Sequence, residues 1–465
     1  MKKFSVILVI ALISGQFVTA GENEMDLKAR SKELKELRFG MFICWSFSSF
    51  SGYEWTPGVE DISFFNPTGF DPDQWCKTVK DANMKYILFL TKHHDGFCLW
   101  DTKTTDRKVT KSPLGVDVLA KLKKSCDKYG IKLALYFSEG DWSWSGRKDI
   151  HTSIARPEIK KAQLKELLTQ YGPIEYIWFD HAVGDGGLSH EETSKFVKSI
   201  QPGCFVGYNN GSPTGSDIRL GELGKPTPLE DVSGSGYNQA HIKGYTGYYL
   251  AEFTYPMLGG QGHSGLRGAM WFYSLPENDN VACTAEKIYA DYLGAKECGN
   301  IFSLDIGPDR AGMMRDIDVK TLKKVGQYIR GEIKLPPESA AKNKPASAST
   351  FWDANYTADK AFDGNPSTRW GAEDGARSGW LEVDMEKETT ISSAIIKEGG
   401  WDRVRKFELQ IKQNDKWKTI AKGTTIGKSL ELTFKPTKAR HVRLNITQAD
   451  EVPTILELEL FETKK

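Results

Sequence analysis

Carboxylate, imidazole and indole side chains recur just beyond a series of apolar, β-branched runs. His93, His94 and Asp95 follow the run at 86–91, and Glu139, Asp141, Trp142 and Trp144 follow the run at 131–137. Asp180 and His181 come directly after the run at 174–179, and Glu54 and Trp55 after the first run, at 39–45. Further along, residues 217–222 (Asp-Ile-Arg-Leu-Gly-Glu) present Arg219 and Glu222. Carboxylates beside tryptophan faces suit a sugar, whose hydroxyls need strong acceptors and donors and whose C–H faces pack on aromatic rings. Breaking a glycosidic bond takes two carboxyl groups, one a nucleophile or base and the other a proton donor. Asp180 is the nucleophile candidate, because an Asp ending an apolar strand is held rigidly and partly desolvated; the plainer alternative is an Asp that caps the next helix. For His93 and His94 the alternatives are sugar contact and structural hydrogen bonding. A metal site has little support, since neither H-x-H nor H-E-x-x-H occurs.

These residues must be positioned by the runs they follow. Strands are predicted at 39–45, 86–91, 131–137, 174–179, 204–208, 269–273 and 300–304. Helical patterns lie between them: Leu119, Leu122 and Cys126 share a face ahead of Gly130, and Leu164, Leu167, Leu168 and Tyr171 follow from Pro157 and end at Gly172. A closing helix carries Val319, Leu322 and Ile329. Strands alternating with helices imply a parallel sheet, and the length fits a (β/α)8-like barrel, made irregular by the Gly-rich stretch at 203–268. In such barrels the chemistry sits at the C-terminal ends of the strands, where these residues fall. The fold class is therefore α/β, a catalytic barrel over 21–335, with a linker at 336–345. Over 346–465 the period changes to two: Phe407, Leu409 and Ile411, then Val442, Leu444 and Ile446, alternate with polar residues. That pattern predicts a β-sandwich.

The first twenty residues read as a secretory signal, with Lys2 and Lys3, an apolar run and small residues before Gly21. The apolar run is too short to span a bilayer comfortably, so export to a secreted or periplasmic location is expected, with no membrane span. Seven cysteines, an odd number without a C-x-x-C pair, predict mostly buried free thiols rather than a disulfide or zinc scaffold. The 62 basic and 61 acidic residues leave a charge of +1, which argues against a nucleic-acid partner. The unusual number is 13 Trp. Trp45, Trp55, Trp142, Trp178 and Trp271 fall near the predicted site, whereas Trp370 and Trp380 read as sandwich core. Trp352 and Trp401 suit either sugar stacking or burial.

Five motifs, in order, resemble the retaining α-L-fucosidase family of glycoside hydrolases. They are Phe-Gly-Met-Phe-Ile-Cys-Trp at 39–45 with Glu54-Trp55, Lys-His-His-Asp-Gly-Phe at 92–97, Leu-Tyr-Phe-Ser at 135–138 with Trp142, Ile-Trp-Phe-Asp at 177–180, and the segment 300–309. The resemblance implies a retaining exo-glycosidase acting on terminal α-L-fucosides of oligosaccharides or glycoconjugates, without metal or cofactor. By position Asp180 is the nucleophile, while Glu54, Trp55, His93, His94, Tyr136, Trp178, Arg219 and Trp271 line the sugar pocket. Glu222 is placed as acid/base, with Glu252 as runner-up and otherwise a pocket residue, and Glu230 third.

Two departures bear on the sugar accepted. Cys44 stands where the family usually has His, and a thiol is a weak partner for a hydroxyl. His181 stands where the family more often has a small residue. Alternatives are thus a glycosidase for another galacto-configured sugar, or a non-catalytic glycan-binding barrel. The C-terminal segment is similar to discoidin-type (coagulation-factor C-type) carbohydrate-binding modules, through Ala-Phe-Asp-Gly-Asn at 361–365, Thr-Arg-Trp at 368–370, Trp-Leu-Glu-Val-Asp at 380–384 and the closing run at 455–460.

Overall fold

Apolar runs without polar interruption need burial on both faces, and parallel sheets covered by helices supply it. The computed structural model describes residues 25–56, 59–145, 156–181, 187–258, 271–273, 276, 282–365 and 367–462. The expected signal segment lies outside them, as do the Trp144 side chain and the first two residues of the strand expected at 269–273.

Eight strands form one sheet: β1 (Phe39–Ile43), β2 (Tyr86–Lys92), β3 (Lys132–Ser138), β4 (Tyr176–Asp180), β5 (Phe205–Tyr208), β6 (Ile218–Arg219), β7 (Leu250–Pro256) and β8 (Ile301–Asp305). Their order is β5-β4-β3-β2-β1-β8-β7-β6, and neighbours run parallel. The sheet nearly closes. Val206 in β5 accepts the Asp217 N–H (2.8 Å) and donates its own N–H to the Asp217 carboxylate (2.9 Å), which draws β5 toward β6. Inside the barrel, Gly40 of β1 leaves room for the Tyr86 ring, which a Cβ there would meet at 2.4 Å. The Tyr86 hydroxyl in turn bonds Ser303 Oγ at 2.7 Å.

The helices are α1 (Leu27–Leu37), α2 (Ser48–Ser51), α3 (Pro72–Asp81), α4 (Val118–Tyr129), α5 (Pro157–Gln170), α6 (His190–Ile200), α7 (Ala285–Cys298) and α8 (Asp316–Ile329). Local chemistry marks their ends. Asp117 caps α4 through the Ala120 N–H and Gly130 ends it at φ 65°, while Ser189 and Glu192 close a capping box on α6.

Two strand expectations change. Residues 271–273 form no strand beyond a bridge from Tyr273 to Gly307. The sheet is completed by β6 and β7 instead. Strand β7 hides from an apolar-run search because Glu252 and Thr254 are buried within it, and β6 has only two residues.

The chain divides into two units, the first running to Ile329 and the second from Arg330. In the second, β9 (Ala346–Ala348), β10 (Trp370–Gly371), β11 (Gly379–Lys397), β12 (Val404–Gln413), β13 (Lys416–Gly423), β14 (Leu430–Ala449), β15 (Thr454–Ile455) and β16 (Glu457–Glu462) pair antiparallel. The alternating residues Phe407, Leu409, Ile411, Val442, Leu444 and Ile446 form its core with Trp370. Within the expected linker, Ala341 is buried in this core and Ser339 Oγ accepts the Leu460 N–H at 2.9 Å, so packing of the second unit starts before residue 346. Trp380 is only half-buried, and Trp352 and Trp401 are exposed. All seven cysteines are free, and six of them are buried. Among the described residues no helix is long and apolar enough to cross a membrane.

Candidate active site

Asp180 is the last residue of β4, so the strand delivers its carboxylate to the barrel mouth. Three donors hold it. The Tyr136 hydroxyl donates to Oδ2 at 2.5 Å, and the His181 backbone N–H (2.8 Å) and Asn209 Nδ2 (2.7 Å) donate to Oδ1. His94 lies alongside, its Nε2 3.5 Å from Oδ2. The His94 ring is oriented by Ser138: its hydroxyl gives its hydrogen to the Gly140 carbonyl (2.7 Å), and so accepts from His94 Nδ1 (2.6 Å).

Glu222 follows β6 and is fixed by its backbone. Its carbonyl accepts the Tyr237 N–H at 3.0 Å, and a Cβ on Gly236 (φ 51°) would sit 1.8 Å from that oxygen, so the close approach requires glycine. Asn209 Nδ2 also donates to Glu222 Oε2 at 2.7 Å. Two 2.7 Å legs from one nitrogen keep the nearest oxygens of Asp180 and Glu222 at most 5.4 Å apart. Burial, and then the negative charge of Asp180, push the Glu222 carboxyl up to about 8. One buried carboxyl that keeps its proton at neutral pH therefore faces a second carboxyl clothed in hydrogen-bond donors. That pair can protonate a leaving group and attack the carbon it leaves.

The pair opens into a cavity at the barrel mouth. Phe42, Cys44, Glu54, Trp55, Leu90, His93, His94, Tyr136, Trp178, His181, Asn210, Tyr237, Trp271 and Phe272 complete its lining. The Tyr136 and Trp178 rings stack at 5.4 Å, with Phe42 6.2 Å from both Trp178 and Trp271. Glu54 Oε2 accepts the Trp271 N–H at 3.3 Å. Aromatic rings, carboxylates and imidazoles therefore line one cavity, the mixture that the C–H faces and hydroxyls of a sugar require. Among the described residues no group of three or more His, Cys, Asp or Glu is arranged to hold a metal ion.

The family model for alpha-L-fucosidase matches residues 16–332, well over half of the 465-residue chain. The chain belongs to the alpha-L-fucosidase family. It is a glycoside hydrolase, and the model for the F5/8 type C domain matches residues 345–459 of its second unit. Alpha-L-fucosidase 1 of Arabidopsis thaliana is 24% identical over 457 residues, covering 91% of this chain and 85% of the plant protein. In fold, the chain is similar to alpha-L-fucosidase isoenzyme 1 from Paenibacillus thiaminolyticus, with a TM-score of 0.55 at 21% identity over 94% of this chain and all of that one. A fucosidase mutant from Ruminococcus gnavus, solved with fucose, gives a TM-score of 0.51 at 21% identity, covering 94% of each chain.

In this fucosidase-family barrel, nine of the eleven residues singled out for the site line one cavity. Two do not. Arg219 turns its guanidinium away, donating to the carbonyls of Pro228 (2.9 Å), Leu229 (2.6 Å) and Asp231 (2.6 Å) and to Thr227 Oγ1 (2.9 Å), so it ties down a loop rather than a sugar. Glu252 is buried inside the barrel beside Ser303 and Trp178, its carboxyl pushed up to about 7 by that burial. Trp45 is also outside the cavity, enclosed by Phe65, Phe70 and Trp75. Trp142 is buried with its ring 5.0 Å from that of His94, one layer behind the lining.

The remaining carboxylates after β3 are structural. Glu139 pairs with Lys160 at 2.5 Å and Asp141 with Lys92 at 3.0 Å, all four side chains almost fully buried. Removing one partner strands the other charge, so Lys160→Ala is expected to lower unfolding free energy by about 3–5 kcal/mol in a denaturant titration.

Phe42, Asn209, Asn210, Tyr237 and Phe272 were not singled out by the sequence reading. Asn209 and Asn210 are the polar residues just past β5, so the strand-end rule points to them once amides are admitted beside acids and imidazoles.

Proposed function

We propose that the protein is an exo-acting, retaining α-L-fucosidase that hydrolyses terminal α-L-fucosides of glycans by double displacement. Asp180 attacks the anomeric carbon as the C–O bond breaks, and Glu222 passes its proton to the departing oxygen. Glu222, now ionised, takes a proton from a water that attacks the same carbon, releasing L-fucose and the free Asp180 carboxylate. The observation that carries this reading is the Asn209 bridge, whose two 2.7 Å bonds hold the nearest oxygens of the two carboxyl groups at most 5.4 Å apart. Retaining enzymes hold theirs about 5–5.5 Å apart, whereas inverting ones leave about 6.5–9.5 Å for a water. In this reading His93, His94 and Glu54 bond ring hydroxyls while Trp55, Trp178 and Trp271 pack on the ring. Export of the protein and a fucosylated oligosaccharide or glycoconjugate as substrate belong to the same proposal.

Cys44 favours a second reading, a different galacto-configured sugar. It lines the cavity, and burial followed by the nearby Asp305 pushes its thiol well above the usual range, so it is neutral and a poor partner for a sugar hydroxyl. Proton NMR of the first turnovers on aryl glycosides tests both points. The expected result is α-L-fucose as the initial anomer, from the α-L-fucoside preferred over other galacto-configured glycosides. The β-anomer appearing first would overturn retention, and a faster alternative glycoside would favour the second reading.

A further inference from the structure

The two carboxyl groups share one neutral donor, and the orientation of that donor is dictated from the backbone. The Asn210 N–H, which can only donate, meets Asn238 Oδ1 at 2.7 Å. Asn238 Nδ2 therefore faces the other way, donating to Asn209 Oδ1 at 2.5 Å and to the Leu220 carbonyl at 3.4 Å. Asn209 is left with its Nδ2 toward the acids, one hydrogen for Asp180 Oδ1 and one for Glu222 Oε2, each at 2.7 Å. Asn209 is fully buried, as is Asn238, and it does not line the cavity.

We propose that Asn209, held by Asn238, is a positioning residue that serves both halves of the reaction by hydrogen-bonding whichever carboxyl is charged. The inference rests on the assignment of Asp180 as nucleophile and Glu222 as acid/base. Before attack the charge is on Asp180; after it, Asp180 is an ester and the charge is on Glu222. A donor bonded to both throughout needs no reorganisation when the charge moves.

The groups acting on Asp180 are Asn209 Nδ2, the Tyr136 hydroxyl, His94 Nε2, the His181 N–H, the Cys44 thiol and Glu222; those acting on Glu222 are Asp180, Asn209, Asn210, Glu54 and the Tyr136 hydroxyl. A bond from Asn209 favours the charged form of each acid, so its removal makes both harder to ionise. In Asn209→Ala both limbs of the pH profile of kcat/KM are expected to move to higher pH, by about one unit. Inhibition by L-fucose should change less than about twofold, because the amide does not line the cavity. Asn238→Ala, which keeps the Asn209 amide but frees it to turn, should move both limbs the same way by less. Limbs that stay in place while kcat falls, limbs that move in opposite directions, or collapse of the fold in both variants would each overturn the proposal. If Asp180→Ala or Glu222→Gln keeps ordinary turnover, the underlying assignment fails instead. Those two variants behaving as a nucleophile and an acid, with unmoved Asn209→Ala limbs, would remove the Asn209 role alone.

Discussion

Asp180→Ala is expected to lower kcat on an aryl α-L-fucoside by a factor on the order of 10⁴ or more, with the fold intact. The size follows from the loss of the covalent route that the Asp180 carboxylate supplies in the proposed mechanism. In that mechanism Glu222, whose nearest oxygen is within 5.4 Å of that of Asp180, carries the proton for the leaving group, and Glu139 and Asp141 are committed to buried lysines. Fold integrity is expected because the Asp180 side chain itself lines the cavity, so water can take the place of its carboxylate beside Tyr136, the His181 N–H and Asn209. Added azide should restore turnover by entering the space the side chain vacates, and the glycosyl azide should have inverted configuration. Near-normal turnover in Asp180→Ala, or a rescued product of retained configuration, would show that the attack comes from elsewhere.

The second large effect concerns Glu222. Glu222→Gln removes the proton donor but keeps the shape and the contact to Asn209. Loss of general acid catalysis costs about 10²–10⁴-fold on substrates with poor leaving groups. Dinitrophenyl α-L-fucoside, whose leaving group needs little protonation, should form the glycosyl-enzyme readily and show a burst as the intermediate accumulates. The pH dependence has a definite sign. Glu222 must be protonated for the first step, and its carboxyl is pushed up to about 8, chiefly by burial and then by Asp180. In the wild type kcat/KM should therefore hold below that pH and fall as pH rises through it; in Glu222→Gln this alkaline limb should vanish. An alkaline limb that survives the substitution would assign the acid to another group.

Legibility followed a simple physical divide. Asp180, His93 and His94 could be found because they directly follow apolar strands, and strand ends in a parallel barrel converge on one face. Glu222 follows a two-residue strand, which no pattern announces, and its position came from resemblance rather than from periodicity. Trp45 and Trp55 look equivalent in the sequence, yet one is enclosed by Phe65, Phe70 and Trp75 and the other lines the cavity. Arg219 and Glu252 show the same ambiguity for charged groups: each is buried among barrel or loop atoms, which a residue type cannot reveal. Asn209 was passed over because a neutral amide titrates nothing, although it sits just past β5 and touches both acids.

By itself the sequence determined the alternation of strands and helices, the change to a two-residue period after the barrel, and the set of acids, imidazoles and indoles gathered at strand ends. Those are local properties, written in side-chain spacing. Only the tertiary structure decided which of those residues meet. Asp180 and Glu222 are 42 positions apart (222 − 180) and leave different strands, β4 and β6, brought near one another because β5 lies between them at the seam of the barrel. The raised carboxyl of Glu222 was decided there too, because burial and the distance between charges exist only once the barrel has closed.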